Sequence, residues 1–181
     1  MQCQKVLVLS NENWVKQSFR NRVEVYGPNN RQKLSFPIQG SSKHGTIADV
    51  RLDNTHNWGV QNWRSLVTAY NKSPFFEYYK HELEPLFMGK EEFLFELNKK
   101  AIVLCCSLLA IDLDIAFQEL DYNAVSNNYC SYDFRKLSSQ KPYNQVFSDK
   151  NGFESNLSIL DLLFNLGPEA GDYLLRYYSS E

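Results

Sequence analysis

The sequence predicts an α+β fold: an N-terminal antiparallel sheet packed against a C-terminal helical half. Two patterns and one bound carry this. Residues 1–53 alternate apolar and polar positions between turn-forming residues, and 54–181 place apolar residues at helical spacing. The chain has 181 residues, 43% hydrophobic and 22% charged. That excludes disordered and collagen-like classes and suits one domain, 1–181, whose core needs no disulfide or metal.

The elements follow in order. Lys5–Leu9 reads as a strand. Val15, Phe19, Val23 and Val25 supply an alternating face, and Gly27-Pro28-Asn29-Asn30 is a turn. Leu34, Phe36 and Ile38 alternate after it, so the two runs form a hairpin. Residues 47–52 are a further strand, after a polar loop at 39–45. Trp63, Leu66, Val67 and Tyr70 then lie at i, i+3, i+4 and i+7 of a helix. Ser73-Pro74 signals the start of the next helix, which buries Phe75, Phe76, Tyr79 and Leu83 and meets a breaker at Pro85. Residues 91–110 carry the longest amphipathic stripe, and 114–118 return to strand. Residues 121–144 are polar and weakly patterned, as in a loop. Ser158 and Asp161 have the spacing of a capping box with a shortened acid. The nearly unbroken apolar run after Ser158 predicts a helix buried on most faces, closed by Gly167 and followed by another opening at Pro168.

Several function classes are disfavoured. The longest apolar run, 101–111, is broken by Ser107 and falls short of the roughly 20 residues a spanning helix needs. The run at 6–9 is too short for a signal-peptide core. Cys3, Cys105, Cys106 and Cys130 lack C-x-x-C spacing, and His44, His56 and His81 lack metal-ligand spacing, so reduced thiols, a cytoplasmic location and no metal are expected. The net charge of −2 makes nucleic acid an unlikely partner.

The charge is unevenly spread. Residues 14–51 hold seven cations against Glu24 and Asp49, an excess of five. In an extended chain Lys16, Arg20 and Arg22 share one face and Gln17 and Asn21 the other. Guanidinium forks suit carboxylate or phosphate, so this segment is either an anion-binding strand or a solvated face paired to acids of the helical half. The aromatic content of 14% concentrates in 58–79, as a stacking platform for a sugar or base, or as core. Core is favoured for Trp63, Phe75 and Phe76. Asp161 is either a buried base or a helix cap.

Several blocks resemble the WbqC-like family. They are Glu12-Asn13-Trp14-Val15-Lys16-Gln17-Ser18-Phe19-Arg20-Asn21-Arg22, Leu34-Ser35-Phe36-Pro37-Ile38, Ile47-Ala48-Asp49-Val50-Arg51-Leu52, Trp58 with Trp63-Arg64, and Thr68 through Phe76. Pro142-Tyr143-Asn144-Gln145-Val146-Phe147, Gly152-Phe153 and the run from Leu157 to Pro168 match too. The version is similar to those of the Bacteroides group. The resemblance implies a transferase of surface polysaccharide (O-antigen) synthesis, with aminoacyl or glycine transfer from an anionic small-molecule donor to a sugar. The alternative is a non-catalytic accessory or ligand-binding protein. No cofactor is assigned. Lys16, Gln17, Arg20, Asn21 and Arg22, with Trp63, Tyr70, Tyr143 and Gln145, are the candidate anion- and substrate-binding residues; Asp161 and Asp49 are the candidate bases. Relatives carry a Tyr-Phe-Pro segment ahead of the block at Glu12, so a shortened N-terminus is expected. They often place His where this chain has Asn62, which cannot shuttle a proton at neutral pH.

Overall fold

A computed structural model describes residues 5–16, 18–40, 45–119 and 140–178. Gln17 and most of the loop expected at 121–144 lie outside the described residues.

The architecture is α+β, as expected, but its strands form two small sheets. In the first, β1 (Lys5–Leu9) runs parallel to β4 (Asp114–Gln118), in register from Lys5 opposite Asp114 to Leu9 opposite Gln118. In the second, β2 (Arg22–Gly27) and β3 (Asn30–Ser35) form the predicted hairpin, with Gly27 opposite Asn30. Asn30 takes the left-handed conformation (φ 84°) that a tight turn requires and that Asn tolerates.

Six helices complete the described chain: α1 (Trp58–Tyr70), α2 (Phe76–Met88), α3 (Leu94–Leu108), α4 (Ser148–Asn151), α5 (Ile159–Leu166) and α6 (Glu169–Tyr178). The α1 stripe and the buried α5 run match expectation. Gly167 closes α5 at φ 56°, its N–H bonded to the Leu163 carbonyl. Pro85 does not end α2: it sits one turn from the C-terminus, and its carbonyl still accepts from the Gly89 N–H at 2.9 Å. Nor does Ser73 cap α2; its hydroxyl bonds back to the Tyr70 carbonyl at 2.7 Å and closes the end of α1.

Two predicted strands are corrected. Segment 14–21 is not extended. Ser18 Oγ donates to the Val15 carbonyl at 2.9 Å, and Phe19–Asn21 form a 3-10 turn, leaving Val15 and Phe19 exposed. Residues 47–49 form a second 3-10 turn, held by Asp49, whose carboxylate accepts from the Thr46 N–H (3.2 Å) and hydroxyl (2.7 Å). Local side-chain bonding overrode alternation in both places.

The core has two parts. The larger packs the β2–β3 hairpin against α1, α2 and α5, with Tyr26, Tyr70, Phe76, Leu83 and Phe164 fully buried. The smaller gathers Ile47, Val50, Leu52, Trp58 and Leu94 beside the parallel sheet. Phe36 packs against both, its ring 5.2 Å from Trp58 and 6.2 Å from Phe87.

Helices α1 and α2 touch through backbone at Gly59, where a Cβ would lie 1.9 Å from the Phe87 carbonyl oxygen. Gly59→Ala therefore forces the helices apart and is expected to cost about 1–3 kcal/mol or more, read as a lower urea midpoint. Gly40→Ala, with nothing within 4 Å, is the matched control. Equal midpoints for the two variants would show that the helices are not this close.

Candidate functional site

Three of the predicted residues meet around the buried carboxylate of a fourth. Asp161 is 0% exposed, on the first turn of α5. Tyr70, from the end of α1, donates its hydroxyl to Oδ1 at 2.7 Å. Tyr143 donates to Oδ2 at 2.6 Å, and Gln145 Nε2 donates to the same oxygen at 2.9 Å. The Tyr70 oxygen accepts the Tyr26 backbone N–H at 2.8 Å, so its single proton points at Asp161. Gln145 is locked in turn by Glu154, donating to its carbonyl and accepting its N–H, both at 2.9 Å. Every neighbour is a donor, which is what an ionised carboxylate needs.

Burial raises the Asp161 pKa above its ordinary value, against the hydrogen bonds of Tyr143, Tyr70 and Gln145 that pull it down. Burial and the Asp161 charge push both Tyr70 and Tyr143 well above the normal phenol range, so both stay protonated donors. The capping box expected at Ser158 and Asp161 is absent. Ser158 caps α5 through the Leu160 N–H, and the Asp161 carboxylate turns inward. Asp49 lies elsewhere, exposed, its pKa lowered by the Thr46 hydrogen bonds that hold its turn.

Arg20 and Arg22 lie apart from this cluster, on the rim of a groove of about 270 Å³. One wall comes from the first 3-10 turn and the start of β2, the other from α2 and α3, and Ser158, Ile159 and Leu160 complete it. Asn98 of α3 donates to the Arg20 carbonyl at 3.0 Å and fixes the rim. The two arginines differ in charge balance. Arg20 is ion-paired with Glu12 at 2.5 Å. Arg22 is half-buried and has no acid partner among the described residues. Its neighbour on the strand face, Glu24, is taken by Arg31 (2.5 Å) and Lys33 (3.7 Å). Arg31 also pairs with Glu154.

The remaining candidates sit outside both features. Lys16 is exposed and does not line the groove. Asn21 donates to the Phe36 carbonyl at 3.0 Å and secures the base of the hairpin. Trp63 is core, its ring 5.5 Å from Phe87 and 6.1 Å from Phe76. Asn62 bonds the Ser35 carbonyl at 2.9 Å. Among the described residues no group of His, Cys, Asp and Glu could hold a metal, and no helix is long and apolar enough to cross a membrane. Sequence reasoning missed Tyr26, whose hydroxyl bonds the Gly152 carbonyl at 2.6 Å, and the groove side of α3. A tyrosine at an inward strand position was the available signal for the first, since its buried hydroxyl needs a partner.

The family profile described as the WbqC-like protein family matches residues 1–128 and 116–173. The chain belongs to the WbqC-like family. An uncharacterized protein of Mycobacterium tuberculosis, Rv1507c, is 27% identical over 206 residues, spanning 94% of this chain and 87% of the relative. No solved structure matches. This WbqC-like chain thus carries two features next to each other at the start of α5: the buried Asp161 carboxylate, and a groove lined by Arg20, Arg22 and Ser158, Ile159 and Leu160.

The raised Asp161 pKa makes its effect on stability depend on pH. The folded pKa exceeds the unfolded one, so the stability from protonation is fully present below the unfolded value and is lost as pH rises through the folded value. Asp161→Asn removes that titration and sets an amide against the Gln145 amide, at a cost of about 1–3 kcal/mol at neutral pH. Denaturation across the acid range is expected to show the wild-type advantage over the variant growing as pH falls toward the unfolded pKa. An advantage that shrinks on acidification would contradict the assignment.

Proposed function

We propose that this WbqC-like protein holds an activated anionic donor at the Arg20–Arg22 rim, for transfer of an aminoacyl or related group to a sugar in surface-polysaccharide assembly. One observation supports the donor site above all: Arg22 is a half-buried guanidinium beside a concave surface, without an acid partner among the described residues. A guanidinium fork without an acid partner offers its N–H donors to a phosphate or carboxylate. The family resemblance supports the polysaccharide context.

A second reading, an accessory protein that binds without catalysing, is favoured by a different observation. Among the described residues no carboxylate lines the groove. Asp161 is fully buried and accepts three side-chain donors, Asp49 holds a turn, and neither lines the groove, so neither presents a free base to a ligand there. Under either reading Asp161, Tyr70, Tyr143 and Gln145 tie the start of α5 to α1 and to the segment before α4.

Calorimetric titration with inorganic pyrophosphate, the simplest head group of an activated phosphate donor, tests the site. Arg22→Ala is expected to weaken binding by about tenfold or more, the worth of one charge-assisted contact of about 1.5–3 kcal/mol. Lys80→Ala, whose ammonium pairs with Glu77 on α2, is expected to bind as wild type. Equal affinities for wild type and Arg22→Ala would remove the donor site. Loss of polysaccharide from a deletion strain that Arg22→Ala fails to restore would place the groove in assembly of the glycan.

A further inference from the structure

We propose that the groove takes an amphipathic anion: a single alkyl or acyl chain lying between α2 and α3, with its phosphate on Arg22. This rests on the donor site proposed above and names the class of donor that fits it, an acyl group carried on a phosphate-bearing activating group.

Three features of the groove select this chemistry. The first is the scarcity of polar groups. Beyond the arginines, the polar side chains among the described lining residues are Asn98, which donates one amide N–H to the Arg20 carbonyl, Ser158, whose hydroxyl accepts the Leu160 N–H, and Cys105. The Cys105 thiol is raised to about 11 by burial and stays neutral. A sugar ring or a base edge needs several hydrogen-bonding groups, and these walls are instead Leu83, Leu86, Leu97, Ala101, Ile102 and Ile159. A hydrocarbon chain asks for nothing else.

The second is Phe19. It belongs to the 3-10 turn at the rim, next to Arg20, and is 58% exposed. A large ring held in water at the mouth of an apolar groove covers a chain lying there. The third is charge and size. The groove carries Arg22, with no acid partner among the described residues, and Arg20, paired with Glu12, and no Asp or Glu among the described residues lines it. At about 270 Å³ the groove is just below the usual ligand-pocket range of roughly 300–1,000 Å³, which suits one chain and not a two-chain lipid.

The test is a calorimetric series of n-alkyl phosphates from ethyl to decyl, each below its aggregation limit. Affinity is expected to rise about fourfold per methylene until the groove is filled, then level off. Arg22→Ala weakens every member by a similar factor. Ala101→Trp removes the chain-length gain and leaves ethyl phosphate binding. Phe19→Ala, at an exposed position that does not build the core, reduces the same gain and serves where Ala101→Trp fails to fold. Affinity independent of chain length, with ethyl phosphate still sensitive to Arg22, overturns the chain and leaves the anion site standing. Alkyl phosphate binding indifferent to Arg22 overturns the donor site itself. Binding to phosphatidic acid vesicles without binding to monomeric alkyl phosphates overturns the single-chain ligand.

Discussion

The buried Asp161 carboxylate is the constraint on which the larger core depends. Removing such a charge from water costs several kcal/mol unless hydrogen bonds replace the lost hydration. Here the replacements come from the end of α1 through Tyr70, from the chain before α4 through Tyr143 and Gln145, and indirectly from β2 through the Tyr26 N–H. Segments far apart in sequence must therefore arrive together, or the charge is left unpaired. The neighbouring apolar packing alone would tolerate shifts of register; three directed donors on two oxygens do not.

That constraint also shapes the surface. Asp161 faces inward from the first turn of α5, and Ser158, Ile159 and Leu160 beside it line the groove. The Ser158 N–H bonds the Glu24 carbonyl of β2 at 2.7 Å, so the start of α5 and the strand that carries Arg22 are joined directly. Asn98 does the same for α3 and the Arg20 turn. The same hydrogen bonds that join these segments thus hold the walls of the groove together. The proposed donor site asks little more of the fold than an uncompensated guanidinium at that junction.

Much of the architecture was legible because local and tertiary preferences agree. Trp63, Leu66 and Tyr70 at helical spacing are the buried face of α1, and the apolar run of α5 is buried on most sides. The hairpin turn at 27–30 was equally clear. The failures have separate causes, one local and the others non-local. In 14–22, Ser18 and Asn21 offer the backbone local partners that alternation ignores, so a cationic strand face became a turn and a rim. The pairing of β1 with β4 joins residues more than a hundred positions apart, with no turn between them to reveal it. Asp161 has the spacing of a capping acid, and only the placement of Tyr70 and Tyr143 turns it inward. The groove was hidden because α3's long apolar stripe reads wholly as core, although one edge of it faces the arginine rim.

A crystal structure of the protein with octyl phosphate tests the central claim most directly. The account predicts phosphate oxygens about 2.7–2.9 Å from the Arg22 guanidinium and the alkyl chain between α2 and α3 under Phe19. A phosphate seated instead in the open polar hollow of Lys33, His56 and Gln61, with no density along the groove, would contradict it.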